Sequence, residues 1–206
     1  MTVAIRHPLL TMFVLAIALT VPMPSTHAAP PLGLQAPDMA IDEQPGVEPG
    51  EPDLPAAYRK QPVLYRTTEP AGTIIVDTRA RYLYVVQGGG RAMRYGIGVG
   101  RDGFQWQGLL RVSKKAEWPD WHPPAEMIAR QPYLPRFMAG GPGNPLGARA
   151  LYLGDTIYRI HGTNQPQTIG HAVSSGCFRL VNDDVIDLYD RVPVGTKVVV
   201  RQSAEL

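Results

Sequence analysis

The sequence predicts a predominantly β domain, a β-sandwich or half-open barrel with one short C-terminal helix and an inserted lid-like loop. Three observations predict it. Short segments rich in β-branched and aromatic residues recur from Thr73 to Arg201, with turn residues between them. Only Val185, Leu188, Tyr189 and Val192 recur clearly at helical spacing. Residues 116–147 break the strand pattern with prolines, glycines and aromatics that include Trp118, Trp121 and Tyr133, as an insert does.

The chain begins with a segment, 1–28, that reads as a signal peptide. Arg6 and His7 precede an apolar run from Leu9 to Val21, interrupted only by Thr11 and Thr20, and Thr26-His27-Ala28 offers small residues at a cleavage site. The run is short for a membrane span. Export to the periplasm or cell envelope is therefore expected, with an uncleaved anchor as the alternative. Residues 29–71 read as an acidic, proline-rich linker: 29–62 hold eight prolines, and 29–70 hold seven acids against three bases. The folded domain is expected over 72–202, followed by a tail, 203–206.

Within that domain, strands are expected at 73–77, 81–86, 92–100, 109–115, 150–153, 157–161 and 196–201. Gly88-Gly89-Gly90 makes a turn between the second and third. A short helix is expected at 125–130. The C-terminal helix should start at an N-cap supplied by Asn182 or Asp183. Asp183, Asp184, Asp187 and Asp190 read as a cap and a solvated face rather than as catalytic acids.

Charge excludes some function classes. The 206 residues carry a net charge of +2, while residues 71–206 hold eleven acids and sixteen bases. That excess is mild and scattered, unlike the clustered Lys/Arg of a nucleic-acid-binding surface. The chain has one cysteine, so no internal disulfide can form. A lone cysteine in an exported chain points to a reactive thiol or an intermolecular bridge.

The chemistry concentrates between Ile160 and Leu180. His161 ends an expected strand and is followed by Gly162. Cys177 follows Ser174-Ser175-Gly176 and precedes Phe178-Arg179. A thiol needs a base to become a nucleophile near neutral pH, and imidazole suits that task. Gly176 lets the backbone approach a substrate carbonyl closely, and successive N–H groups around it can form an oxyanion site. A buried apolar cysteine and a core histidine are the bland readings, and their pairing with glycines in an exported chain weighs against them. A zinc site from His122, His161, His171 and Cys177 has no compact zinc spacing, so no metal or cofactor is expected.

The stretch HGTNQPQTIGHAVSSGCFRL resembles the catalytic signature of the L,D-transpeptidase (YkuD-type) family. WPDWHPP at 118–124, GGPGNPLG at 140–147 and the closing VPVGTKVVV fit the same family, so the resemblance covers 72–201. It implies a peptidoglycan L,D-transpeptidase. Cys177 matches the nucleophile, His161 the base, and Gly162 the residue whose carbonyl orients the ring. Ser175, Gly176 and Cys177 match the oxyanion donors. Arg179 matches a residue that either meets substrate or supports the loop. Trp118, Trp121 and Tyr133 read either as a lid over the cleft, with Trp121 and Tyr133 as candidate substrate contacts, or as packing of the insert against the sheet. Many members carry histidine where this chain has Ser175; His171 reads as a surface residue.

The implied partners are peptidoglycan stem peptides, with an envelope protein amine as a further acceptor, and the chain is expected to be monomeric. L,D-carboxypeptidase or endopeptidase (hydrolase) activity, protein anchoring, and a non-catalytic wall-binding module are the alternatives.

Overall fold

The computed structural model describes residues 45–46 and 54–202. The expected signal segment, most of the linker and the tail lie outside the described residues. In chain order the strands are β1 (Gln61–Leu64), β2 (Ile74–Asp77), β3 (Tyr82–Gly88), β4 (Arg91–Gly96), β5 (Val99–Gly100), β6 (Gly108–Glu117), β7 (Arg149–Leu153), β8 (Arg159–His161), β9 (Ala172–Ser174), β10 (Phe178–Arg179) and β11 (Lys197–Arg201). The helices are α1 (Ala125–Arg130) and α2 (Asn182–Arg191).

Nine strands form one mixed sheet in the order β1-β4-β3-β2-β11-β6-β7-β8-β10, and β5 pairs with β9. Gly98 and Arg179 exchange backbone hydrogen bonds of 2.9 and 3.0 Å. That bridge ties the last strand of the order back to the segment leaving β4, so the sheet curls without closing. The expected class is observed, as an unclosed sandwich-like fold with two short helices. The strand expected over 92–100 divides at Ile97-Gly98, where the chain turns from β4 to reach Arg179. Glycine is needed there because a Cβ on Gly98 would lie 2.9 Å from the Thr168 carbonyl oxygen.

Alternation along the strands builds the core. Ile74, Val76, Leu83, Val85, Val198 and Val200 point to one face with Leu151, Leu153, Ile160 and Phe178. Val185 and Leu188 of α2, with Val192 just after it, cover that face at the predicted spacing.

Two expectations about local structure are corrected. The fold begins before Gly72: β1 pairs antiparallel with β4, and Leu54 is buried with Ile169 and Val181. Pro62 obscures the strand in sequence, yet it is tolerated because β1 is the edge of the sheet. Aromatic contacts hold the segment down, with Tyr65 stacked on Tyr84 at 4.2 Å and Tyr58 against Tyr82 at 5.5 Å. The α2 cap is also different. Val181 is the N-cap, and no side chain caps the helix. Asn182 instead accepts hydrogen bonds at Oδ1 from the backbone N–H groups of Ala148 (2.9 Å) and Thr163 (3.3 Å).

Candidate active site

The sheet puts the expected pair on one surface. β8 and β10 run parallel, with Phe178 beside Ile160 and Arg179 beside His161. Ile160 and Phe178 face the core, so the period of two turns Arg159, His161 and Arg179 to the opposite face. Cys177 stands immediately before β10, two residues from Arg179. His161 and Cys177 both line one narrow cavity on that face.

His161 is 1% exposed. Its Nδ1 lies 2.6 Å from the Gly162 carbonyl oxygen. A carbonyl only accepts, so Nδ1 carries the hydrogen and Nε2 presents the lone pair. Burial, reinforced by the Arg179 and Arg159 charges, pushes the His161 pKa down to about 3. The backbone acceptors of Gly162 and Leu146 pull the other way. The ring is neutral in the resting site. Asn182 fixes this arrangement from behind, since the Thr163 N–H it binds follows Gly162 directly.

The Cys177 loop is tightly specified. Gly176 has φ +111°, and a Cβ there would lie 2.7 Å from Tyr158 Cε1. Trp106 donates from Nε1 to the Gly176 carbonyl at 2.8 Å and stacks on Tyr158 at 4.5 Å. Ser174 staples the turn: its Oγ donates to the Cys177 carbonyl at 2.6 Å and accepts from the Gly176 N–H at 3.2 Å. The three N–H groups expected as oxyanion donors are therefore not equivalent, because that of Gly176 is already engaged by Ser174. Cys177 is half-buried, its Sγ 3.8 Å from the Ile157 carbonyl oxygen.

The insert forms a lid. Trp121, Pro124, Met127 and Leu146 line the cavity together with Ile157, Arg159, His161, Ser175 and Cys177. The cavity measures about 30 Å³, room for about two waters. Trp121, Met127, Leu134 and Leu146 form a small apolar cluster of their own. Trp121 thus packs the lid and lines the cavity. Tyr133 is 60% exposed and does not line it. Trp118 is 42% exposed. His171 is exposed, as its surface reading implies. Arg179 is fully buried beside His161 and does not line the cavity. The geometry favours its supporting role.

Several residues at the site carried no functional signal in the sequence. Asn182 reads as a cap and Tyr158 as part of the strand expected over 157–161, while Trp106 falls outside every expected element. Arg130 extends from α1 to Ser175, with Nη2 3.0 Å from Oγ. Only the order Ser-Ser-Gly-Cys hinted that Ser174 had a role.

Comparison with known proteins places the chain among relatives. The family model for the L,D-transpeptidase catalytic domain (YkuD) matches residues 71–200. A probable L,D-transpeptidase of Escherichia coli K12, ErfK/SrfK, is 37% identical over 146 residues, 67% of this chain and 46% of that protein. A putative L,D-transpeptidase of Bacillus subtilis, YqjB, is 34% identical over 133 residues, 62% of this chain and 69% of that protein. This chain thus spans about half the length of the Escherichia coli relative. An L,D-transpeptidase structure from Mycobacterium smegmatis shares the fold at a TM-score of 0.50 and 20% identity, covering 63% of this chain and 58% of that one.

Proposed function

Given that the chain belongs to the L,D-transpeptidase catalytic-domain family, we propose that it cross-links peptidoglycan in the cell envelope through a Cys177 acyl-enzyme. The observation that carries the reading is that Cys177, immediately before β10, and His161, on the adjacent parallel β8, line one cavity, with the ring oriented by Gly162. Cys177 Sγ attacks the carbonyl carbon between the third residue of a tetrapeptide stem and its terminal D-Ala. Burial disfavours an imidazolium at rest, so the thiol proton passes to His161 Nε2 during attack rather than before it. The Gly162 and Leu146 acceptors support the ring while it holds that proton. The C–N bond then breaks, the proton goes to the departing D-Ala amine, and a thioester remains. An acceptor amine attacks the thioester and gives its proton to His161; the C–S bond breaks to leave the new amide, and the proton passes to the departing Cys177 sulfur to restore the thiol.

Oxyanion stabilisation falls to the turn around Cys177, with the N–H groups of Cys177 and Ser175 as donors and that of Gly176 held by Ser174. The apolar lid argues for an amine rather than water as acceptor, because Trp121, Met127 and Leu146 shield the thioester. Purified protein incubated with tetrapeptide muropeptides should release D-Ala and form dimers linked between third residues. Cys177→Ala should abolish both. Products limited to tripeptide would replace transpeptidation by hydrolysis. Binding to sacculi without any Cys177 adduct would reduce the protein to a wall-binding module.

A further inference from the structure

The cleft is bordered by arginines that meet no acid. Arg159 lines the cavity with Cys177, its Nε is buried without a hydrogen-bond partner, and its guanidinium lies over the Tyr152 ring at 5.2 Å. Arg130 reaches across from the lid, exposed and 3.0 Å from Ser175 Oγ, with its guanidinium 4.7 Å over the Phe104 ring. Among the described residues neither arginine forms an ion pair. A guanidinium beside an aromatic face has a fixed fork, suited to a planar carboxylate. A serine hydroxyl satisfies only part of that fork.

The placement fits a peptide end. Ser175 precedes Cys177 by two residues, so their Cα atoms are at most about 7 Å apart. A carboxylate bound at the Ser175 position therefore lies about one residue beyond a carbonyl held at Cys177. The donor in the acyl-transfer reading has a free carboxylate at that separation, on the departing D-Ala. A third residue with a side-chain carboxylate would carry another.

We propose that Arg130 is the carboxylate receptor of the donor site, with Ser175 occupying it between turnovers. The proposal rests on the acyl-transfer reading for its substrate class. Arg130 joins the lid to the Cys177 loop through Ser175. An entering carboxylate replaces the hydroxyl on the guanidinium, exchanging a neutral partner for a charged one as the cleft fills. Arg159, on the cavity wall, adds positive potential but lies on a strand and does not move with the lid.

The test measures binding to the Cys177→Ala protein, which cannot turn over. Three synthetic tetrapeptides are compared by calorimetry: the free acid, the C-terminal amide, and the peptide amidated on the side-chain carboxylate of its third residue. One amide should bind about five- to tenfold more weakly than the free acid, the low end of a charge-assisted bond because Arg130 is exposed. Adding Arg130→Ala should erase that difference while leaving the weaker amide's affinity unchanged; Arg130→Lys should retain part of it. The amide that discriminates identifies the carboxylate. Ser175→Ala should tighten free-acid binding, a gain that a misfolded variant cannot mimic. Equal binding of all three peptides, or unchanged discrimination after Arg130→Ala, removes Arg130 from this role. Acylation of unmodified Cys177, read by intact mass, tests the reaction separately: no adduct overturns acyl transfer, while the binding series still decides Arg130.

Discussion

Replacing Asn182 with alanine should weaken both the fold and the active site through two hydrogen bonds. Oδ1 of Asn182 accepts from the N–H of Ala148 at 2.9 Å and of Thr163 at 3.3 Å. Ala148 is 1% exposed, so water cannot replace the lost acceptor. An unsatisfied buried donor costs about 1–3 kcal/mol, and the longer bond adds about 0.5–1 kcal/mol. The expected loss is about 2–3 kcal/mol. For a domain of this size that corresponds to roughly 5–10 °C in Tm. The loss falls on the residue after Gly162, so the carbonyl that orients His161 should also drift. Cys177 acylation by tetrapeptide should slow by more than instability explains. Asn182→Asp keeps an acceptor and places an acid in the first turn of α2, where the helix dipole favours it; it should recover most of both losses. Urea unfolding and time-resolved intact mass spectrometry measure the two effects. A stability within about 0.5 kcal/mol of wild type for Asn182→Ala, or an aspartate variant as impaired as the alanine one, would refute the reasoning.

Gly176→Ala should leave the sheet folded but disable the thiol. Its positive φ resists a side chain, and the new methyl collides with Tyr158. A displacement of about 1 Å at Cys177 is worth roughly a hundredfold in acylation rate, and a variant acylated at near wild-type rate would contradict this account of the loop. The buried, neutral His161 should make the fold acid-sensitive. The unfolded chain takes a proton on this ring near pH 6.5, whereas the folded protein does so only near 3. Stability should therefore fall with decreasing pH across that window, by up to about 1.4 kcal/mol per unit. His161→Gln should flatten the slope between pH 6.5 and 4 in urea titrations; identical slopes would mean the ring already exchanges protons with solvent in the folded state.

The sequence and the structure agree where one residue type has one physical role. Ile74–Asp77, Tyr82–Gly88 and Lys197–Arg201 were visible as strands because β-branched and aromatic residues alternate there. The His161–Cys177 pairing was visible because reactive side chains stood beside glycines. What was hidden depended on long-range context. β1 contains Pro62, and only its position at the sheet edge makes a strand there possible. β9 and β10 have three and two residues, too few for periodicity to register. Asn182 looked like a cap because its neighbours are helical; its partners lie 34 and 19 residues away. Ser174 and Arg130 depend on a turn geometry and a lid position that local composition does not encode.

The separateness of the lid's apolar cluster from the sheet core has a further consequence. Trp121, Met127, Leu134 and Leu146 form one cluster, and none belongs to the core beneath α2. Such a unit can unfold locally while the rest of the molecule keeps its full protection against hydrogen exchange. Hydrogen exchange should report lid opening at a free energy below that of global unfolding, and destabilising the cluster should lower the closed population without melting the sheet. In the envelope location proposed above, the same closed population decides how long a lone thiol survives between substrates. A looser lid would shorten the wait for a peptide and lengthen the exposure of the sulfur to oxidants.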